Sequence, residues 1–275
     1  ILKRDYAAEK ELPPQQKLYR NTRLYTLLVD LEESLGTVES TGAAYERMLD
    51  LKIATPQTVL NYASFLQEHK HFDESFRVYE RGVAAFRFPH AADIWRAYLA
   101  QFVERFKGSK LERARDLFEQ AVAAAPPEHC RTLYLSYAAL EESYGLARRA
   151  MEIYERATRT VPIGERLAVY DIYLSRATEL YGVSKVREVF ETAIEAEPPH
   201  GLSDADCRTL CLRFAAFEQR LGEVDRARAI FRHAAPLADP KEDKSFWDAW
   251  KQFEAAHGNE DTFKELLRMQ RTFYM

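Results

Sequence analysis

The chain has 275 residues, of which 47% are hydrophobic and 12% aromatic, so it can bury a large core. Its 39 Lys and Arg residues face 43 Asp and Glu residues, and the net charge of −4 argues against nucleic acid as the main ligand. No apolar run approaches the ~20 residues of a membrane span, and no basic-then-apolar signal segment opens the chain. We therefore expect a soluble protein without membrane contact.

The first 17 residues stand apart from the rest. Leu12, Pro13 and Pro14 separate a short charged segment from the remainder of the chain. We interpret residues 1–17 as the trailing helix and linker of an upstream repeat, and residues 18–275 as a repeat array. Because the first residue is Ile1 and not Met, we expect the chain to be part of a longer protein.

From residue 18 onward the sequence repeats a two-helix unit. Its second helix carries an anchor, usually aromatic and often followed by Glu, then small residues and a proline, as in YERATRTVP (154–162). The anchors stand 34, 39, 36, 36, 41 and 36 residues apart, which is the period of a helical solenoid. They are Tyr45, Tyr79, Phe118, Tyr154, Phe190, Phe231 and Leu267.

The first helix of each unit carries a pair of residues three positions apart, large in most units. The second member of the pair lies 17 residues before the anchor in six units and 20 in the third, which fits two helices of about a dozen residues and a short turn. The pairs are Tyr25/Leu28, Val59/Tyr62, Trp95/Tyr98, Tyr134/Tyr137, Tyr170/Tyr173, Cys211/Phe214 and Trp247/Trp250. The pattern predicts an all-α superhelical solenoid of about seven antiparallel helix pairs.

Turn residues fall where this pattern needs helices to end. Prolines lie between units, and glycines lie within units, where we expect a left-handed residue at the C-terminus of the first helix. Those glycines are Gly36, Gly108, Gly145, Gly182, Gly222 and Gly258. Thr55 before Pro56 predicts an N-cap, and Ser109 with Glu112 predicts a capping box.

The three cysteines, Cys130, Cys207 and Cys211, are too few and too unevenly spaced for a disulfide framework, which indicates a reducing compartment. Cys207 and Cys211 lie four residues apart on one helix, so we considered a metal site. Cys211 takes the position that Trp95 and Trp247 fill in other units, and no Cys-x-x-Cys or His pair completes a tetrahedral set. We predict core residues and no zinc.

The sequence lacks the common catalytic and cofactor motifs: Gly-x-Gly-x-x-Gly, Gly-Lys-Ser/Thr, His-Glu-x-x-His and Gly-x-Ser-x-Gly. Glu32, Glu141, Glu218 and Glu254 each follow the second member of their first-helix pair by four residues. Since an acid or base would be needed only once, we interpret these repeated glutamates as structural hydrogen-bonding groups and the repeated aromatic rings as core. We predict no enzyme activity and no cofactor.

Two second helices carry basic clusters. One cluster contains Arg148, Arg149, Arg156 and Arg159, and the other contains Arg226, Arg228 and Arg232. We favour a solvated helical face with neighbours such as Glu152 and Glu155. The alternative is a surface for an acidic partner segment or an RNA backbone, so Arg148, Arg149, Arg156 and Arg159 are candidate interaction residues.

The two ends of the array offer apolar residues that no further unit covers. The last helix carries Phe263, Leu266, Leu267, Met269, Phe273 and Tyr274, and the upstream end carries Leu18, Tyr19, Leu24 and Tyr25. An apolar patch of several hundred Å² usually marks an interface. We therefore add Phe263 and Leu267 to the candidate interaction residues and expect weak self-association of the chain.

The aromatic pair at Trp-x-x-Tyr spacing, the downstream Glu and the Tyr/Phe-Glu-Arg-Ala with its trailing Pro resemble the half-a-tetratricopeptide (HAT) repeat, a TPR-like family found in RNA-processing assemblies. TLYLSYAALEESYGLARRAMEIYERATR and FWDAWKQFEAAHGNEDTFKELLRMQR are further similar to the C-terminal half of the Syf-type pre-mRNA-splicing factors, called XPA-binding protein in animals. The resemblance covers nearly everything after Tyr19 and includes KIATPQ and HGNEDT, which the fold does not require. It weakens at Leu66, Lys70 and Ala177, where Glu or Gly is expected.

This resemblance implies a non-catalytic spliceosomal scaffold in the nucleus, within the NineTeen complex and an intron-binding subcomplex. The implied partners are an Aquarius-type helicase, an Isy-type protein, a cyclophilin and a crooked-neck-type HAT protein, and animal members are linked to DNA repair. We expect the second helices to line the inner face of a superhelical arch, where partner peptides or helices bind. The alternative is direct RNA binding by that face.

Overall fold

In the computed structural model, residues 19–273 are described, and this part of the chain contains fourteen α-helices, one 3-10 turn at Ala235–Leu237 and no strand. The helices are α1 Thr22–Leu35, α2 Val38–Asp50, α3 Pro56–Glu68, α4 Phe72–Ala85, α5 Ala92–Phe106, α6 Leu111–Ala124, α7 Pro127–Tyr144, α8 Ala147–Thr160, α9 Ile163–Tyr181, α10 Val183–Glu195, α11 Asp204–Arg220, α12 Val224–Ala234, α13 Lys244–His257 and α14 Glu260–Thr272. Consecutive helices pack in pairs, so the predicted all-α array of seven helix pairs is confirmed.

The described helices fall into two compact units, α1–α6 before residue 126 and α7–α14 after it. In the first unit, α2 and α4 each pack on the first helix of the following pair. In the second unit, α8 and α10 do the same. The segment interpreted as an upstream repeat, residues 1–17, lies outside the described residues.

Stacked aromatic rings join successive helix pairs within each unit. The anchor of a second helix lies nearly parallel to the second member of the next first-helix pair. The centroid distances are 4.7 Å for Tyr45–Tyr62, 5.4 Å for Tyr79–Tyr98, 5.7 Å for Tyr154–Tyr173, 4.6 Å for Phe190–Phe214 and 5.8 Å for Phe231–Trp250. All ten rings are buried. Such a pair adds about 0.5–1.5 kcal/mol to the free energy gained from burial.

Of the two side-chain caps predicted at helix starts, one is present and the other is not. Thr55 Oγ1 accepts a hydrogen bond from the Thr58 N–H at 3.2 Å, and Thr58 Oγ1 accepts one from the Thr55 N–H, so the predicted N-cap before Pro56 is confirmed. The predicted capping box at Ser109 is wrong. The Ser109 hydroxyl instead donates to the Phe106 carbonyl at 2.6 Å, and α6 begins two residues later without a side-chain cap.

The connections within the helix pairs differ from the prediction of left-handed glycines. Gly182 and Gly222 do have positive φ, at 72° and 82°. Gly36, Gly145 and Gly258 do not, with φ of −88°, −112° and −93°, and Gly108 has no positive φ either, so for these four the prediction is wrong. At two turns a lysine takes the left-handed conformation: Lys70 with φ 67°, and Lys107, directly before Gly108, with φ 48°.

Gly36, Gly145 and Gly258 are needed because a glutamate side chain occupies the space of a Cβ. A Cβ on Gly145 would lie 1.9 Å from Oε2 of Glu141, and the equivalent distance is 2.3 Å both for Gly36 with Glu32 and for Gly258 with Glu254. We call each such pair a Glu–Gly joint. Its carboxylate accepts a hydrogen bond from the start of the next helix: Ser40 Oγ donates to Glu32 at 2.5 Å, and the Leu146 N–H donates to Glu141 at 3.3 Å. The structural interpretation of these glutamates is confirmed.

Glu254 shows why such a buried carboxylate stays charged. Burial raises its pKa, but hydrogen bonds from Arg228, Thr262 and Trp250 outweigh burial and hold the pKa below its usual range. Arg228 Nε donates at 2.8 Å and Trp250 Nε1 at 3.3 Å. Because the folded pKa is lowered, this carboxylate stabilises the fold above its unfolded pKa, and the stabilisation is lost as the pH falls through the folded pKa.

Replacing Gly145 with Ala should lower the free energy of unfolding by ~1–3 kcal/mol, because the new Cβ displaces the buried Glu141 carboxylate from its bond to Leu146. Urea unfolding followed by circular dichroism measures this. Gly164→Ala is the matched control, since nothing lies within 4 Å of a Cβ there, and it should be neutral or slightly stabilising. Equal effects of the two substitutions on the free energy of unfolding would contradict the structural role of the Glu–Gly joint.

Trp250→Ala should remove ~3–5 kcal/mol from the last helix pair, because Trp250 is 1% exposed and stacks on Phe231. In an array with nearest-neighbour contacts, hydrogen exchange should show α13 and α14 losing protection before α7 and α8. Tyr181→Ala, which removes a ring 46% exposed, should change stability by less than ~0.5 kcal/mol. Uniform loss of protection from α7 to α14 would contradict the local effect.

Candidate functional site

The four arginines predicted as an interaction surface are all exposed on α8. Arg148 Nε donates to Glu152 Oε1 at 3.0 Å, Arg159 donates to Glu155, and the Arg156 guanidinium lies 5.8 Å from the Tyr134 ring centroid. The Arg148 side chain remains 86% exposed, and an ion pair so solvated contributes little to stability. The geometry agrees with a solvated helical face, and partner binding by these arginines stays a prediction.

The second basic cluster, on α12, is paired with carboxylates of other helices. Arg226 reaches Glu191 on α10 at 2.8 Å, and Arg232 reaches Glu265 on α14 at 2.6 Å. The third member, Arg228, holds the buried Glu254. These guanidinium groups join neighbouring helix pairs, and each of the three has a carboxylate partner.

A recurring set of three side chains joins successive pairs in the first unit. The glutamate directly after an anchor accepts from the phenol of the next first helix and from a guanidinium of the next second helix. Glu80 accepts from Tyr98 at 3.2 Å and from Arg113 at 3.1 Å. Glu46 accepts from Tyr62 at 3.2 Å and also from Arg81. We call each a Glu–Tyr–Arg set. The sequence reasoning missed these sets, although the 33 or 35 residues between Arg and Glu match the repeat period.

In the second unit the same positions surround a cavity of about 340 Å³ between α8, α9 and α10. Glu155 follows the anchor Tyr154, and Tyr173 is the phenol of the next first helix, but Glu155 pairs with Arg159 of its own helix. No guanidinium of α10 reaches Glu155 in the described part of the chain. The cavity is lined by Glu155, Thr158, Arg159, Tyr170, Tyr173, Glu188, Val189, Thr192, Glu195, Ala196 and His200.

The apolar ends differ from each other. In α14, Phe263 and Leu267 are half-buried, and Leu266 is the buried residue at 1% exposed. The prediction of Leu267 as the anchor is therefore wrong by one residue, because spacing cannot choose between adjacent leucines and the rotation of α14 about its axis does. Tyr274 lies outside the described residues.

The upstream helix carries the larger exposed apolar stripe. Leu24, Leu27, Leu31 and Leu35 of α1 are 46%, 64%, 52% and 81% exposed, and they recur at three and four residues along one face. Tyr19 is also exposed, as predicted, whereas Tyr25 is half-buried. Leu18 lies outside the described residues. The sequence reasoning missed Leu27, Leu31 and Leu35, although their spacing was a visible signal.

The three cysteines are buried and form no disulfide bond, and Cys211 is 1% exposed, which confirms its core position. Over residues 19–273, no group of three or more His, Cys, Asp or Glu side chains is placed to hold a metal ion. Within the same range, no helix combines the length and the apolar character that a membrane crossing requires.

Residues 2–274 match the family described as Pre-mRNA-splicing factor Syf1/CRNKL1 C-terminal HAT repeat. Pre-mRNA-splicing factor SYF1 of Homo sapiens is 53% identical over 260 residues, covering 94% of this chain and 30% of that protein. The SYF1 protein of Dictyostelium discoideum is 46% identical over 270 residues, covering 98% of this chain and 31% of that protein. Among solved structures, a tetratricopeptide repeat protein from Parabacteroides merdae covers 91% of this chain and 84% of its own at 15% identity, with a TM-score of 0.35, too low to bear on the fold.

The chain thus spans less than a third of the length of these relatives. Within that span, the family match covers all fourteen described helices, and the repeat geometry follows the spacing of anchors and first-helix pairs. The chain belongs to the Syf1/CRNKL1 C-terminal HAT-repeat family of pre-mRNA-splicing factors.

Proposed function

We propose that the chain is a non-catalytic, protein-binding scaffold that acts in pre-mRNA splicing in the nucleus. The observation that carries the proposal is the family match over residues 2–274, together with relatives that bear the name pre-mRNA-splicing factor. The structure supports the non-catalytic part, because the buried glutamates that could have served as acids or bases hold helices together. Glu218 accepts both 2.7 Å bonds of the Arg187 guanidinium, and Glu254 holds Arg228.

The partners that we propose are those implied by the resemblance: an Aquarius-type helicase, an Isy-type protein, a cyclophilin and a crooked-neck-type HAT protein. Exposed helical surface on fourteen helices suits binding of several partner segments at once. Crosslinking mass spectrometry of the intact nuclear complex containing the full-length protein tests this. Crosslinks from residues 19–273 to spliceosomal proteins are expected, and crosslinks confined to proteins outside the spliceosome would overturn the proposal.

The rival function, direct RNA binding, makes a separate prediction. The net charge is −4, and Arg148 and Arg159 already have carboxylate partners, so the chain should show no salt-dependent affinity for single-stranded RNA. Fluorescence anisotropy with a labelled 20-nucleotide RNA at two salt concentrations measures this. Micromolar binding that weakens with salt, and that Arg148→Glu with Arg149→Glu abolishes, would favour the rival. Arg148→Lys with Arg149→Lys, which keeps both positive charges, is the control and should leave any such binding in place.

The leucine stripe of α1 predicts weak self-association of the chain through a second copy. Four leucines at 46–81% exposure make an apolar surface that water solvates poorly, so Leu27→Glu with Leu31→Glu should make the chain more monomeric in sedimentation equilibrium. Phe263→Glu with Leu267→Glu tests the other end. Because those side chains are half-buried, it should have the smaller effect on association. A wild-type chain that is strictly monomeric at high concentration would contradict this prediction.

A further inference from the structure

The cavity between α8, α9 and α10 occupies the place where a Glu–Tyr–Arg set would form. In the first unit, Arg81 stands two residues after the anchor Tyr79, and Arg113 stands five residues before the anchor Phe118. The positions equivalent to Arg81 and Arg113 on α10, counted from the anchor Phe190, hold Thr192 and Lys185. Lys185 is turned to Glu188 of its own helix at 2.6 Å. Neither residue supplies a guanidinium to Glu155.

The phenol of the incomplete set has no hydrogen-bond partner among the described residues, and its oxygen is accessible from the cavity. Tyr173 is 4% exposed, stacks on Tyr154 and lines the cavity, and its hydroxyl makes no hydrogen bond to any residue that the structure describes. Burial, and then the carboxylates of Glu155 and Glu188, raise the pKa of Tyr173. By contrast, Tyr62 and Tyr98 at the same position each donate to a carboxylate at 3.2 Å. The Tyr173 oxygen is therefore available to bond a group that enters the cavity.

The charge of the lining favours a cation. Three carboxylates, Glu155, Glu188 and Glu195, face one guanidinium, Arg159, so the lining carries a net −2 when His200 is neutral. His200 Nδ1 lies 3.2 Å from the Arg159 carbonyl oxygen. Arg159 and Lys185 each take one carboxylate, whereas Glu195 has no ion pair or hydrogen bond within residues 19–273. An incoming guanidinium therefore meets an unpaired carboxylate as well as the phenol oxygen.

The class of cation follows from what the chain itself uses. Arg81, Arg113 and Arg226 each reach the glutamate after an anchor of the preceding pair, and in each case the residue is Arg and not Lys. The planar guanidinium can bind a carboxylate through two N–H groups and accepts a stacked ring beside it, which an ammonium does not match. The volume of about 340 Å³ lies in the range of small-ligand pockets and admits one long side chain.

We propose that this cavity binds an arginine side chain of a partner protein segment, in the place that Arg81 and Arg113 fill in the first unit. Its N–H groups donate to Glu155 and Glu195, and the Tyr173 oxygen accepts a further bond. The biological use of the site rests on the proposed scaffold function, whereas the site itself is a property of the chain.

The test is a titration of the ¹⁵N-labelled chain with the peptide acetyl-Gly-Arg-Gly-amide, with the citrulline peptide of the same shape as the neutral probe. Saturable NMR shifts are expected for residues 155–159 and 188–196, with a dissociation constant on the order of 1 mM for a single side chain. The citrulline peptide should bind at least about tenfold more weakly, since it lacks the charge. Equal binding of both peptides, or shifts outside these segments, would overturn the proposal.

Two substitutions separate binding from folding. Thr192→Arg restores the arginine of the set from within the chain, so it should abolish peptide binding and keep or raise the melting temperature. Thr178→Arg is the matched control, because Thr178 is an exposed α9 residue outside the cavity whose hydroxyl bonds the carbonyl four residues earlier, as that of Thr192 does. It should bind the peptide as the wild type does.

Tyr173→Phe removes only the hydroxyl and should weaken arginine binding several-fold while leaving the circular dichroism spectrum unchanged. A Thr192→Arg chain that binds as tightly as the wild type would also overturn the site. Such a failure leaves the scaffold proposal standing, because crosslinks from the full-length protein test that proposal separately.

Discussion

The contact on which each unit depends is the stack of an anchor ring on the first helix of the following pair. Five second helices do not cover their anchors within their own pair, since each of these anchors lies against a residue about 17 to 24 positions further along the chain, as Tyr45 does against Tyr62 and Phe190 against Phe214. Burial is therefore shared between neighbours, and stability is a sum of local interfaces rather than the property of one core. Polar groups around the stacks satisfy the hydroxyls of the buried rings. The hydroxyls of Tyr62, Tyr98 and Tyr154 each donate a hydrogen bond to a carboxylate.

The period of the aromatic residues predicted the helix pairs, because helical spacing and burial impose the same requirement on every repeat. The connections were harder. A glycine after a helix can serve a left-handed turn, as Gly182 does, or make room for a side chain, as Gly145 does, and the residue alone does not distinguish the two. The distinguishing signal was a glutamate four residues before the glycine. Glu141 precedes Gly145 in this way, whereas Ala177 takes the repeat position of that glutamate in the unit of Gly182. Even this signal fails at Glu218, which holds Arg187 and is followed by a left-handed Gly222.

Prediction of the candidate site was weaker for a physical reason. A charge pattern read along one helix shows only neighbours three or four residues away, such as Arg148 with Glu152. The contacts that define Glu80 come from Tyr98 and Arg113, on two other helices, and become visible only when the repeats are stacked. The cavity around Tyr173 lacks the arginine that completes the Glu–Tyr–Arg sets of the first unit, and this difference is visible only in the structure. The same limit applies to the exposed leucines of α1. Their periodicity predicts an apolar face of the helix, but it does not show whether another helix covers that face.

The two kinds of polar link differ in how far apart their members lie along the chain, and this difference governs how repeats can be exchanged. A Glu–Gly joint is complete within five consecutive residues, so a repeat transplanted into another array carries its own joint. A Glu–Tyr–Arg set draws its three members from two successive repeats, so a single transplanted repeat leaves half a set at each boundary: an unpaired carboxylate on one side and an unpaired guanidinium on the other. Chimeric arrays built from this chain should therefore be cut so that the two repeats sharing a set move together.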